Sequence, residues 1–451
     1  MQMKNYTRII ARGAVIMLAA CLMSCTGCTS CTNGKGGSRG PATEQGPQPQ
    51  PAPDPTPAEQ APDTASVPAV QIAEHPIVNV YLENSGSMNG YVDNGRTLFQ
   101  QDVYNYLCDV KISGIPSSIN LHFINSQIIN RGSVIADFIN RLNPNSFKSA
   151  GGNTTTTDIA AVFKKVLEHT DENTVSIFIS DCIFSPGNVK SPEAYLANQQ
   201  VGIKECVADY LTEHPDLAIL VYQLYSNFDG TYYDYKNRPR PYRGERPYYI
   251  WVMGDILNVA KLRAAIPNDK FRGSGVANVW CAYNKQIDNL PYSITGKAVK
   301  GDFRRDSKNA ISRIKKENGD FAFMITADLS TLELMLGNDY LMDTDNYSRL
   351  INKQDSNEWY IGVERNTNAG SPATHNITLG TRSTIAHSDL SVAIRCMTPK
   401  WAYAMTDLDD AQFVDGNERK TYGLKYMFDG IQQAFVSRSS GVYTVMDFKL
   451  N

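Results

Sequence analysis

The sequence contains no long hydrophobic run and carries almost no net charge, and both absences exclude classes of protein. None of its apolar stretches approaches the roughly 20 residues that a membrane-spanning helix requires. Lys and Arg number 43 against 46 Asp and Glu, which gives a formal net charge of −3. This balance provides no general attraction to polyanions, so we expect no nucleic-acid partner.

The overall composition is that of a soluble globular protein, with 42% hydrophobic and 20% charged residues. A chain of 451 residues is too long for one ordinary domain, so we predict two domains and a tail. Changes in composition along the chain place the boundaries. The predicted segments are 1–21, 22–74, 75–266 and 267–451.

Three basic residues precede a short apolar run at the start of the chain, in the pattern of a signal peptide. The basic residues are Lys4, Arg8 and Arg12, and the apolar run spans 13–20. Residues 18–21, Leu-Ala-Ala-Cys, resemble the bacterial lipobox, whose cysteine is acylated. We therefore predict an exported protein, lipid-anchored at Cys21 in the cell envelope, at the outer membrane or the cell surface. A second, poorer match makes Cys25 the alternative acylated residue.

The segment 22–74 has the composition of a tether. Its central part consists of Gly, Pro, Gln, Ala, Ser and Thr with almost no large apolar side chain, so it cannot bury a core. We predict a disordered linker that holds the following domain away from the membrane. This arrangement favours contact with a large partner.

The first strand of the predicted domain ends in a group of oxygen-bearing side chains. Residues 77–82 are apolar, β-branched or aromatic and predict a buried strand. Glu83, Ser85 and Ser87 follow it, with Gly86 between the serines. Strand ends in an open α/β sheet are common ligand sites, and carboxylate and hydroxyl oxygens suit Mg²⁺, Ca²⁺ or Mn²⁺.

Two later loops also place oxygen-bearing side chains beside the end of a strand or helix. Thr157 follows a Gly-Gly turn and directly precedes Asp158, where an amphipathic helix begins, so we expect Thr157 to be its N-cap. Asp181 ends another apolar strand, 175–181. Apolar strands alternate with amphipathic helices through this region, which predicts an α/β fold with a mostly parallel sheet covered by helices on both faces.

These three loops resemble the metal-binding loops of von Willebrand factor A (vWA) domains. That family holds its ion with an Asp-x-Ser-x-Ser loop, a threonine after glycines, and an aspartate that closes a strand before a glycine. The resemblance implies a Rossmann-like vWA domain over 75–266. It also implies a divalent cation, with Mg²⁺ as the first choice and Mn²⁺ or Ca²⁺ as alternatives. The implied metal ligands are Glu83, Ser85, Ser87, Thr157 and Asp181.

Three positions depart from the family pattern. Glu83 has one methylene more than the usual aspartate, so its carboxylate must reach farther or fold back. Cys182 replaces a glycine, so we expect a different turn after Asp181. The threonine run leaves Thr155 and Thr156 as alternatives to Thr157.

The predicted site is suited to binding a ligand. Two carboxylates neutralise a divalent ion, and the family resemblance implies that an acidic side chain of a protein or matrix partner completes its shell. We predict no enzyme, because a nucleophilic serine needs an activating His or Lys and none lies near the motif. The alternative is a metal-independent envelope scaffold that uses the fold only for protein contacts.

The rest of the chain gives less specific signals. The stretch 227–246 mixes tyrosines with basic residues and is interpreted as a solvated insertion between two strands, with a protein or glycan contact, or a hairpin of its own, as alternatives. In 267–451, alternating apolar stretches separated by Asn, Asp and Gly predict a β-rich α+β domain. The predicted strands are 321–327, 358–363, 390–395 and 442–446, with a helix at 423–435.

Overall fold

The structure is a computed structural model that describes residues 74–93, 95–154, 158–411 and 417–451. All of these belong to one compact unit, Pro68–Asn451. The predicted signal peptide with Cys21, most of the tether, and Thr155, Thr156 and Thr157 lie outside the described residues. No helix within the described ranges is long and apolar enough to cross a membrane.

Strands dominate the structure, and their bounds are as follows. They are β1 Ile77–Glu83, β2 Ser118–Ile124, β3 Ile128–Asn130, β4 Thr174–Ser180, β5 Leu217–Tyr233, β6 Pro239–Asp255, β7 Asn278–Tyr283, β8 Tyr292–Lys300, β9 Asp302–Ser307, β10 Ala310–Lys315, β11 Phe321–Ala327, β12 Tyr347–Ile351, β13 Gln354–Asp355, β14 Trp359–Arg365, β15 His375–Thr381, β16 Ser388–Arg395, β17 Thr406–Asp407, β18 Thr421–Tyr422 and β19 Val442–Leu450.

The helices contain fewer residues in total than the strands. They are α1 Leu98–Ile112, α2 Ile135–Asn140, α3 Pro144–Ser149, α4 Ile159–Leu167, α5 Pro192–Glu213, α6 Ile256–Ala265, α7 Ser330–Leu336, α8 Asn338–Met342, α9 Lys400–Ala404 and α10 Leu424–Arg438. A 3-10 turn, Ser87–Tyr91, follows β1 directly.

The first sheet has seven strands in the order β3-β2-β1-β4-β6-β5-β7. Its centre is parallel, because β1 pairs in parallel with both β2 and β4. Every residue of β4 is buried, as its continuous run of apolar and small residues predicts. The carboxyl ends of β1, β2 and β4 therefore meet at one edge of the sheet.

The other side of this sheet is antiparallel, so the sheet is mixed. Strands β5 and β6 form one hairpin that pairs from Leu217 opposite Asp255 to Tyr233 opposite Pro239. The solvated insertion expected at 227–246 was therefore wrong, since these residues are the outer half of the hairpin. The mixed α/β class is confirmed, whereas the finer vWA topology remains a prediction.

Residues after 266 build further sheets and also extend the first one. Strand β7 pairs with β5, and α10 packs against α5, where Arg438 Nε donates to the Ala208 carbonyl at 2.8 Å. Two further sheets are the six-stranded β13-β12-β16-β19-β10-β9 and the four-stranded β14-β15-β11-β8. Phe323 and Phe448, one from each sheet, have ring centroids 5.9 Å apart. The β-rich character of this half is as expected.

Two glycines allow the turn after β1 to lie directly on β5. A Cβ on Gly90 would come within 2.3 Å of the Phe228 ring, and a Cβ on Gly230 within 2.7 Å of Gly90 Cα. The Tyr91 hydroxyl then reaches the Pro247 carbonyl on β6, at 2.6 Å. This close approach fixes the turn that carries Ser87 against the hairpin.

Gly90→Ala is expected to destabilise the protein by roughly 1–3 kcal/mol, because the new methyl overpacks against the Phe228 ring. Chemical denaturation measures the change. The matched control is Gly202→Ala in the middle of α5, where an added Cβ meets no atom within 4 Å. There we expect a gain of about 0.5–1 kcal/mol from helix propensity, and equal effects at both sites would contradict the packing argument.

Candidate functional site

Four of the five predicted metal ligands converge at the carboxyl ends of β1 and β4. Glu83 is the last residue of β1, and Asp181 follows the last residue of β4. Glu83, Ser85 and Asp181 are only 3%, 4% and 1% exposed. Ser87 opens the 3-10 turn beside them. Parallel pairing of β1 with β4 brings these side chains together. Their proximity was therefore predictable from the sequence.

The hydroxyls and Glu83 already have partners within the chain. Ser85 Oγ and Ser87 Oγ lie 2.9 Å apart and share a hydrogen bond. The Ser180 hydroxyl donates to Glu83 Oε2, and the Ser180 oxygen in turn accepts the Cys182 backbone N–H at 2.8 Å. The longer side chain of Glu83 is therefore held by the end of the neighbouring strand. Ser180 was missed in the sequence because nothing in an apolar strand marks a serine as a carboxylate partner.

Asp181 differs from Glu83 because one of its oxygens has no hydrogen-bond partner. Oδ2 is buried and unpartnered, whereas Oδ1 accepts a long bond from the Ile183 N–H at 3.4 Å. Burial raises the pKa of Asp181, and the Ser87 hydroxyl and the Arg246 guanidinium oppose this, leaving the pKa above its ordinary value. An unpartnered buried carboxylate oxygen is costly, so it needs a nearby positive charge or a bound group.

Buried amide side chains join the Gly-Gly loop to the end of β1. The Gly86 N–H donates to the Thr154 carbonyl at 2.8 Å, and Asn125 Nδ2 donates to both Asn84 Oδ1 and the Gly151 carbonyl at 3.0 Å. Gly152 takes a left-handed backbone, with φ +74°, and its Cα packs so closely on Asn125 that a Cβ would lie 2.1 Å from the amide oxygen. The described part of the Gly-Gly loop, up to Thr154, therefore lies beside the end of β1.

The beginning of α4 differs from expectation. Asp158 is its N-cap, and its carboxylate accepts the Ala161 N–H at 3.1 Å. The expected N-cap role of Thr157 was therefore wrong, because an aspartate one residue later caps the helix equally well. Thr157 itself falls outside the described residues, so its role as a metal ligand stays a prediction.

Cys182 adopts the conformation that a glycine would adopt more readily. Its φ is +55°, in the left-handed region, so the turn after Asp181 does not avoid that region as we expected. The side chain has a compensating contact, because Trp251 Nε1 donates to Sγ at 3.3 Å. Burial raises the pKa of the thiol, so it is a neutral packing group.

Arg246 is the functional candidate that the sequence analysis missed. It is 1% exposed, its guanidinium lies 4.6 Å from the Tyr232 ring centroid, and Nη1 donates to the Glu418 carbonyl at 2.7 Å. Burial alone would lower the pKa of Arg246, but Tyr232, Tyr91 and Asp181 around it raise the pKa. Its alternation with tyrosines in the hairpin was the available signal, and we interpreted that stretch as a solvated loop.

The donors at this site match a hard cation in chemistry. The two serine hydroxyls and the unpartnered Asp181 oxygen are neutral and anionic oxygens of the kind that Mg²⁺ prefers. Within the described ranges, no group of three or more His, Cys, Asp or Glu could hold a metal ion. A cation here would therefore depend on hydroxyls and on one or two carboxylates.

No protein-family model matches this chain, and neither a curated protein nor a solved structure is significantly similar to it. Any function must therefore be argued from the geometry of the site.

The outer half of the hairpin is fastened by a buried carboxylate. Asp410 Oδ2 accepts from the Tyr232 hydroxyl, and Oδ1 accepts the Tyr235 N–H at 2.8 Å. Burial raises the pKa of Asp410 from 3.8 to about 6, although both of these hydrogen bonds lower it. Asp410 is only 1% exposed, so its charge is poorly solvated.

We expect Asp410 to make the folded state less stable as pH rises from about 4 to about 6. The folded protein holds the proton more tightly than the unfolded chain, so stability falls through this window, by roughly 2–3 kcal/mol for this group. Asp410→Asn removes the titration. Denaturation at several pH values should therefore show a smaller decline for the variant, and parallel curves would contradict the assignment.

The backbone at Cys182 gives a second test. Cys182→Gly and Cys182→Ala both remove the sulfur, but only Ala keeps a Cβ in the left-handed region. We expect the Gly variant to be about 1 kcal/mol more stable than the Ala variant, the reverse of the usual order. Urea denaturation of both proteins measures the difference, and a more stable Ala variant would rule out the left-handed turn.

Proposed function

We propose that this protein is a lipid-anchored envelope lipoprotein that binds a protein or matrix partner at the carboxyl ends of β1 and β4. The observation that carries the proposal is the convergence of Glu83, Ser85, Ser87 and Asp181 from two separate strands. A buried carboxylate with an unpartnered oxygen, set beside two hydroxyls, is an arrangement for binding rather than for packing. In this proposal, the lipid anchor at Cys21 attaches the protein to a membrane.

The binding chemistry proposed first is that of a divalent cation, with Mg²⁺ ahead of Mn²⁺ and Ca²⁺. Ser85, Ser87 and Asp181 would hold it, and Glu83 would join by leaving Ser180 or would act from there as a nearby charge. Thr157, the remaining predicted ligand, belongs to the same proposal. Such an ion supplies an electrophilic position that an acidic side chain of the partner can fill.

A second candidate is a metal-independent scaffold, and one observation favours it. Arg246 is fully buried beside Asp181, so the chain itself supplies a positive charge near the carboxylates. For this candidate, the same face of the protein binds protein partners without a metal ion. Both candidates place the protein in the envelope, and neither involves nucleic acid or catalysis.

Calorimetric titration of Mg²⁺, Mn²⁺ and Ca²⁺ into the full-length protein in detergent separates the two candidates. We expect one-to-one binding that Asp181→Asn abolishes, because the substitution removes the charged ligand. The matched control is Asp158→Asn, which removes the same charge at the neighbouring helix cap while keeping a good capping residue.

The control variant should bind like the parent. Binding lost equally in both variants would point to general surface charge, and absence of binding by the parent would leave the scaffold candidate.

A further inference from the structure

We infer that Arg246 acts as an internal cation at the end of β1 and β4, and that it sets how tightly this site binds a divalent ion. The inference rests on the proposed function of that site and names the residue that regulates it.

Strand pairing places Arg246 next to the chain that carries Asp181. Strand β6 runs antiparallel to β4, and the last pair of that ladder is Ser180 opposite Tyr249. Arg246 precedes Tyr249 by three residues in β6. This part of β6 extends beyond the end of β4, where Asp181 and the residues after it continue. The same residue is opposite Ser226 in the hairpin. Arg246 therefore lies at the edge of the sheet where the predicted ligands meet.

The guanidinium is held from two sides by elements far apart in sequence. On one side it stacks over Tyr232 of β5, at 4.6 Å from the ring centroid. On the other side it donates to the Glu418 carbonyl, which precedes β18, at 2.7 Å. A planar cation fixed by stacking and by a carbonyl has a defined position. It does not need an ion or a partner to order it.

The charges around this position show what the guanidinium does. Glu83 and Asp181 carry the negative charge of the site, and both are almost fully buried. A buried carboxylate is costly unless a positive charge lies near it, and Arg246 provides that charge permanently. A divalent ion entering the same site would meet a fixed like charge in a poorly solvated region, which weakens its binding.

Two substitutions that differ in charge test this inference. Arg246→Gln removes the charge but keeps an N–H donor for the Glu418 carbonyl, whereas Arg246→Lys keeps the charge. Calorimetric titration of Mg²⁺ and Mn²⁺ into the full-length proteins is the measurement. We expect Arg246→Gln to bind at least about tenfold more tightly than the parent, since the substitution removes a like charge from a poorly solvated site; a tenfold change in affinity corresponds to about 1.4 kcal/mol. Arg246→Lys should stay within about threefold of the parent.

Thermal unfolding with and without Mn²⁺ provides a second readout and shows that each variant is folded. Mn²⁺ should raise the melting temperature of Arg246→Gln more than that of the parent, by mass action. If Arg246→Gln does not fold, Arg246→Met, which keeps the length and packing of the side chain, replaces it in the same comparison. Adding Asp181→Asn to the charge-free variant should remove the gained affinity, which places the ion at this site.

The outcomes separate the inference from the proposed function. Equal, measurable affinity in the parent and Arg246→Gln would overturn the inference while leaving cation binding intact. Binding by Arg246→Gln alone would support the inference and show that the natural site is blocked to divalent ions. Absence of binding by every variant would overturn both the inference and the metal-dependent proposal.

Discussion

The burial of two carboxylates at one edge of a sheet is the constraint on which the rest of this structure depends. Glu83 and Asp181 lie at the ends of adjacent parallel strands and are withdrawn from water. Each charge then needs a donor or a cation inside the protein. Ser180 serves Glu83, and Arg246 lies near Asp181. The hairpin β5–β6 must extend beyond the sheet for Arg246 to reach that place.

The constraint also explains why the two halves of the chain are joined. The extended hairpin exposes one face of its outer half, and residues from the second half bind it there. Asp410 accepts from Tyr232 and Tyr235, and the Glu418 carbonyl accepts from Arg246. The second half therefore contributes to the position of a charge in the first. The boundary predicted at residue 266 stays a prediction, but contacts cross it at Tyr232 and Arg246.

The sequence was sufficient for features that depend on neighbours along the chain. Strands β1, β4, β11, β16 and β19 follow from their apolar patterns, and parallel pairing brings the ends of β1 and β4 together. Features set by distant contacts were not predictable. The hairpin was only an alternative because its outer half is polar on one face, and Arg246 was missed because its partners Tyr232 and Glu418 are remote. The N-cap of α4 was misplaced by one residue since both candidates cap equally well.

The position of β1 in the first sheet has a mechanical consequence. This strand lies between β2 and β4 and is parallel to both. A pull along its axis must shear two ladders of hydrogen bonds at once rather than open them one by one. The strand that ends in Glu83 therefore resists a force applied along its length.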